Sequence, residues 1–158
     1  MDVATRNGWQ LYVFAFFLNT LKELVSEVKK QQANNPADFY NHPSMKMLTS
    51  IRKTIIDDVP MNPAAGKFQQ GKTLGKDYKH WRRVKNGLPD RYRLFFRFNS
   101  ETPKSIIYAW INDESTLRKA GAKTDVYTVF KRYLDQGKVP DTWKTLLEES
   151  SSDIPIEA

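Results

Sequence analysis

Apolar and polar positions change their period several times along this chain. Trp9 to Phe17 is crowded with aromatic and β-branched residues and predicts a strand. Asn19 or Thr20 can then cap a helix, since Leu21, Leu24, Val25 and Val28 follow at helical spacing with Lys and Glu between them. Asn34-Asn35-Pro36 breaks that helix. A second helical segment is expected from about Pro36 to Asp58, with Leu48, Ile51 and Ile55 on one face and Pro43 interrupting its first part. Residues 60–79 contain Pro60, Pro63, Gly66, Gly71 and Gly75 and predict a loop.

Period two takes over next. His80 to Lys85 predicts a short strand, and Asn86-Gly87-Leu88-Pro89-Asp90 a hairpin turn cued by Asn-Gly. Tyr92 to Phe98 and Ser105 to Ile111 predict two more strands around a turn at 99–104, so residues 80–111 read as an antiparallel meander. Thr116 to Gly137 is helical in its second half: Val126, Val129, Phe130, Tyr133 and Leu134 form a stripe that Gly137 stops. Residues 148–158 are acidic and Ser-rich and predict a disordered tail. The order β-α-α-β-β-β-α, without internal repeats, predicts an α+β fold in one domain over residues 1–147. An antiparallel sheet would carry its helices on one face and leave the other at least partly open.

Composition narrows the setting. The chain has 158 residues, 40% hydrophobic and 13% aromatic, enough for a real core. It has no Cys. That excludes disulfides, thiolate zinc sites and Cys nucleophiles, and suits a reducing compartment. The longest apolar run, Leu11 to Leu18, is too short to span a bilayer, and what precedes it does not form a signal peptide. A cytoplasmic protein without a membrane partner is expected.

Charge is where the chain becomes specific. Net charge is +7, and Lys67 to Arg97 alone holds ten Lys or Arg against Asp77 and Asp90. That segment sums to +8 and the rest of the chain to −1. Its end reads Arg91-Tyr92-Arg93-Leu94-Phe95-Phe96-Arg97-Phe98, with Arg at 91, 93 and 97 and Tyr, Leu, Phe and Phe at the even positions. This predicts a strand with one buried face and one guanidinium-lined face. Planar guanidiniums pair with phosphate oxygens in a bidentate way that lysines do not. A nucleic acid is the expected partner.

Gly66-Lys67-Phe68-Gln69-Gln70-Gly71-Lys72-Thr73 matches the P-loop pattern. That motif works only between a buried strand and a helix whose N-terminal amides face the phosphates. Here Pro60-Met61-Asn62-Pro63 precedes it and Leu74-Gly75 follows. A flexible basic loop is the better reading.

Trp81-Arg82-Arg83-Val84-Lys85 and Tyr92-Arg93-Leu94-Phe95-Phe96, in this order of elements, resemble the RelE/ParE superfamily of type II toxins. Asn7-Gly8-Trp9, Gly71-Lys72-Thr73-Leu74-Gly75, Trp110-Ile111-Asn112-Asp113-Glu114, Thr116-Leu117-Arg118, Lys123-Thr124-Asp125 and Tyr127-Thr128-Val129-Phe130 are similar to the YhaV-type toxins within it. The likeness covers about residues 7–147 and implies a RelE-like toxin domain. It implies an mRNA endonuclease acting at the ribosome, silenced by a PrlF-like antitoxin with an AbrB-type DNA-binding domain. Toxin and antitoxin together would repress their own operator. Two other readings stay open: a ParE-like toxin that poisons a topoisomerase, and a non-catalytic RNA-binding module.

RNA carries its own nucleophile, the 2′-hydroxyl. A nuclease working without metal or cofactor must take that proton, stabilise the phosphorane and protonate the leaving 5′-oxygen, giving a 2′,3′-cyclic phosphate and a 5′-hydroxyl. His42, before Pro43, reads as structural, and His80 is a weak candidate. Arg cannot serve as base, whereas Lys can when positive neighbours lower its pKa. Lys85 shares a strand face with Arg83 and Trp81 and is the candidate base. Arg93 is the candidate holder of the scissile phosphate, and the resemblance adds Arg83 to the basic pair. It also implies a tyrosine near the start of the last helix, matched by Tyr127, which would assist proton transfer, stack on a base or fill the core. A late basic residue is expected from Arg118, Lys119 or Lys123. Arg82, Arg91, Arg97, Lys72, Lys76 and Lys79 are expected on RNA backbone, and Trp110 on a splayed base.

Overall fold

The computed structural model describes residues 4–156. Strands β1 (Thr5–Arg6), β2 (Trp9–Phe14), β3 (Arg82–Val84), β4 (Leu94–Asn99), β5 (Ser105–Ile111) and β6 (Ser150–Ser151) form one sheet in the order β1-β2-β5-β4-β3, with β6 on β2. The β3-β4-β5 meander is antiparallel, as expected. The sheet as a whole is not. β2 lies parallel to β5, Leu11 opposite Ile106 and Tyr12 opposite Ile107. β2 thus lies inside the sheet, between β5 on one side and the short β1 and β6 on the other, and the helices that follow it begin the crossover that parallel strands require.

Helix α1 (Ala15–Asn34) starts directly after β2, earlier than the Asn19/Thr20 cap predicts, and buries Phe17, Leu21, Val25 and Val28. Pro43 opens helix α2 (Pro43–Lys53) rather than interrupting it, because a first-turn residue has no intrahelical N–H bond to lose. His42 caps α2: its Nδ1 accepts from the Ser44 amide at 3.1 Å, so its role is structural. The helix continues through a π turn (Thr54–Asp58) into α3 (Val59–Met61). The buried Tyr108 hydroxyl donates to the Ile55 carbonyl at 2.7 Å, satisfying one group of that widened turn.

Neither sheet face is open. Leu11, Val13, Leu94, Phe96, Ile106 and Tyr108 pack under α1 and α2. Phe14, Phe95, Ile107, Ala109 and Trp110 pack under helix α4 (Val126–Asp135) and helix α5 (Trp143–Glu148). The α4 stripe is the predicted one, but it covers the sheet face expected to be exposed. β5 is consequently buried along its whole length.

The predicted disordered tail is placed as far as Ile156. Ser150 and Ser151 pair with Phe14 and Val13, and Ile156, 4% exposed, closes the α1-side core. Those apolar contacts outweigh the acidic composition that suggested disorder. Among the described residues no helix is long and apolar enough to cross a membrane.

Candidate active site

The C-terminal end of β3, the residue preceding β4 and the first turn of α4 converge beneath one phenol. Asp125 caps α4, its carboxylate accepting from the Tyr127 amide at 3.1 Å. This sets Tyr127 over the α4-side sheet face, where its ring meets Phe95 edge-on at 5.6 Å. The ring is buried, 5% exposed, and its hydroxyl reaches the basic strands. Arg83 Nε donates to that hydroxyl at 3.0 Å and Arg93 Nε at 3.2 Å. Two donors occupy the lone pairs of one phenolic oxygen, so the proton is what that oxygen has left to give.

The guanidiniums are held by backbone rather than by acids. Arg83 Nη1 donates to the Lys67 carbonyl at 2.8 Å, and Arg93 Nη1 to the Tyr92 carbonyl at 2.9 Å. Among the described residues neither is ion-paired with a carboxylate. Arg93 is 8% exposed, so its charge is largely desolvated and unneutralised, which favours an incoming anion. Arg118 stands over the Tyr127 ring at 4.8 Å and pairs with buried Asp125 at 2.9 Å. Of Arg118, Lys119 and Lys123, it is Arg118 whose side chain touches Tyr127. Lys119 contributes its amide to Asp125 at 2.6 Å, and Lys123 is exposed in the preceding loop.

Sequence reasoning missed Asn112 and Asp125 as site-builders. Buried Asn112 accepts from the Arg93 amide at 2.8 Å and donates to the Arg91 and Thr116 carbonyls at 3.2 and 2.8 Å. Arg91, exposed and left-handed at φ 70°, also accepts from the Arg118 amide at 3.0 Å. Asn112 thereby ties the start of β4 to the segment carrying Arg118. An Asp two residues before Tyr127, at the head of an apolar stripe, is the one signal that pointed here.

Other expected residues stand elsewhere. Trp110 is a correction: it is 9% exposed and stacks on Phe130 at 5.7 Å and Phe95 at 6.1 Å, so it is not available to a base. Both sheet faces are covered, and a register shift decides which core Trp110 joins: Phe95 and Phe96 pair with Trp110 and Tyr108 and leave Ala109 over. The extra residue reverses the alternation and turns Trp110 toward α4. Arg97 is also corrected. It lies between the Trp81 and Trp143 rings, each 5.7 Å away, and donates to the Asp141 carbonyl. Burial lowers its pKa, with Asp141 opposing. His80 pairs with Asp141 at 2.7 Å, near Arg97 and away from Tyr127. Lys85 is exposed just beyond β3, on the Arg83 side by alternation.

The Gly-Lys loop has neither strand before it nor helix after it. Its short 3-10 turns, Gly66–Phe68 and Lys76–Tyr78, run along β3, where Gln69 bridges to Arg82. Lys72, Lys76, Lys79 and Arg82 all lie on or beside this loop, Lys72, Lys76 and Lys79 exposed. Among the described residues no three His, Asp or Glu side chains lie together as a metal site.

No solved structure matches the chain significantly. The sequence comparisons are more specific. Ribonuclease toxin YhaV of Escherichia coli K12 is 43% identical over 152 residues, covering 95% of this chain and 97% of its own length. Toxin YhaV of Escherichia coli O157:H7 shows the same identity and coverage. Residues 11–151 match a family described as a toxin with endonuclease activity, of a toxin–antitoxin system. The basic meander and its capped tyrosine therefore sit in a chain that belongs to the YhaV toxin family.

Proposed function

We propose that this chain is a ribosome-associated mRNA endoribonuclease that arrests translation and growth, on a RelE-like domain. Endoribonuclease activity follows from family membership. The observation supporting the mechanism is the Tyr127 hydroxyl held between the unneutralised Arg83 and Arg93 guanidiniums. A phosphodiester placed there meets two positive charges suited to the dianionic phosphorane. The 2′-oxygen forms its bond to phosphorus as its proton passes to the Lys85 amine. The bond to O5′ breaks as that oxygen takes the Tyr127 proton. The products are a 2′,3′-cyclic phosphate and a 5′-hydroxyl, and the Lys85 ammonium returns a proton to the phenolate through solvent. No step in this scheme is assigned to a metal.

The expected partner is a PrlF-like, AbrB-type antitoxin in the same cytoplasm, whose acidic side chains would neutralise the basic meander. Through that antitoxin the complex would contact operator DNA. Incubating the pure protein with naked RNA and with translating ribosomes, then mapping cuts by primer extension and identifying the 3′ ends, tests the reading. Codon-phased cuts with cyclic phosphate ends support it. Intact mRNA with topoisomerase damage would instead indicate a ParE-like poison, and RNA bound but uncut a binding module.

A further inference from the structure

Round the edge of β3 from Tyr127 lies a second basic concavity that the cleavage scheme does not use. Residues Gln69, Gln70, Gly71, Lys72, Lys79 and Arg82 line a cavity of about 370 Å³. Arg82 and Arg83 are successive strand residues and point to opposite faces. Arg83 reaches Tyr127, while the Arg82 guanidinium lies 5.7 Å over Phe98 of the other core. Arg82 Nη1 donates to the Lys79 carbonyl at 3.2 Å, but its buried Nε has no partner among the described residues. Arg82 thus adds a third cation to the wall that holds Lys72 and Lys79.

The wall opposite is rigid. Gln70 is buried, donating to the Tyr78 carbonyl at 3.0 Å and accepting from the Thr73 hydroxyl at 2.7 Å and the Leu74 amide at 3.1 Å. Leu74 is fully buried in the α4-side core, so the loop is pinned at that end. Gly71 turns at φ +65°, and a Cβ there would meet open space. That leaves room for a ligand above its backbone. The P-loop lookalike therefore becomes a built concavity of side-chain cations, with no helix N-terminus.

We propose that this concavity is a phosphate subsite for a backbone phosphate of the RNA flanking the scissile one. Lys72, Lys79 and Arg82 supply the charge. It rests on the nuclease reading above and assigns how the strand is held across the β3 edge. Bound there, the RNA wraps the edge strand, and its register over Tyr127 is set by a contact that carries no base information.

A fluorescent 2′-O-methyl RNA, which lacks the nucleophile and stays uncut, tests this by anisotropy over a salt series with the full chain. Among the described residues the exposed Lys72 and Lys79 make no side-chain hydrogen bond or ion pair, so K72A/K79A keeps the fold. The expected result is weaker binding and a log K against log salt slope shallower by about 0.7, one single-strand phosphate contact. On cleavable RNA, KM should rise by a larger factor than kcat falls. An unchanged slope and affinity overturn the subsite while leaving the nuclease reading intact. Wild-type protein that binds no RNA overturns both. A melting temperature raised by ATP alone, lost in K72A/K79A with RNA affinity unchanged, would assign the cavity to free nucleotides and overturn the RNA assignment.

Discussion

Arg93 Nε and the Tyr127 hydroxyl stand 3.2 Å apart, joining the start of β4 to the first turn of α4 across 34 residues of sequence. The contact defines a division of labour within one side chain. The Tyr127 ring is core, packed edge-on against Phe95, while its hydroxyl is the point where two guanidiniums meet.

Tyr127→Phe keeps the ring and removes the hydroxyl. Buried Arg93 Nε then loses its acceptor, at a cost of about 1–3 kcal/mol in urea melts. If Tyr127 delivers the proton to O5′, cleavage falls by about 10²–10⁴-fold while RNA binding changes only a few-fold. A rate loss under about threefold would remove Tyr127 from the chemistry.

Arg93→Ala should abolish growth arrest at equal expression, with the variant still folded and still captured by the antitoxin. Arg93→Lys is the sharper test, because charge alone is not what the site uses. A lysine has no planar fork to reach Tyr127 and the phosphate together. Growth curves for both variants beside wild type decide this: full toxicity in either would place Arg93 outside the site.

Asp125→Ala removes the α4 cap and the acceptor for the Lys119 amide and the Arg118 guanidinium. A lost cap costs about 1–2 kcal/mol, and the stranded buried donors add to it. The urea midpoint should fall, with cleavage lost in parallel as Tyr127 and Arg118 shift. Asp125→Asn should recover part of the stability, since its oxygen still accepts one amide.

Much of this arrangement was legible and some was not, for local reasons. The Arg–apolar alternation at 91–98 marked β4, and the α4 stripe with Gly137 as its stop marked the last long helix. The unbroken apolar run Ile106-Ile107-Tyr108-Ala109-Trp110-Ile111 also signalled a strand buried on both faces. That signal contradicts an open face and was there to be read. The parallel β2–β5 pairing was not, because it joins segments about 95 residues apart and leaves no short-range trace. Nor was the bulge that turns Trp110 inward. It depends on which residue β4 leaves unpaired, a property of two strands together. Asn112 was hidden for the same reason: all three of its hydrogen bonds are tertiary or turn contacts.

The basic loop should come loose at high pH in a predictable direction. The Tyr78 hydroxyl donates to Asp135 of α4 at 2.6 Å, and this bond, with burial and nearby acids, pushes its pKa up to about 12. Asp135 is correspondingly held below the usual carboxylate range, first by Lys131 and then by Tyr78. A raised folded pKa means the contact stabilises the protein below the unfolded value of about 10 and is lost as pH rises through about 12. Spectrophotometric titration of the wild type against Tyr78→Phe should show one tyrosine fewer ionising in the upper range. A difference that titrates near 10 would mean the bond is not populated in solution.

In the proposed scheme Lys85, exposed beyond β3 on the Arg83 side, acts as base, and substitution can separate base from mere charge. Arginine preserves the cation but cannot release its proton near neutrality. If Lys85 takes the 2′-hydroxyl proton, Lys85→Arg and Lys85→Ala are equally slow, and both lose the acidic limb of the kcat–pH profile. That limb exists because an amine accepts a proton only once it has lost its own. If Lys85 only attracts backbone, Lys85→Arg keeps wild-type kcat and only Lys85→Ala raises KM. Single-turnover rates across pH for the two variants distinguish these cases. Full activity in Lys85→Arg would reassign the base to solvent or ribosome, leaving Arg83, Arg93 and Tyr127 as the protein's own share of the chemistry.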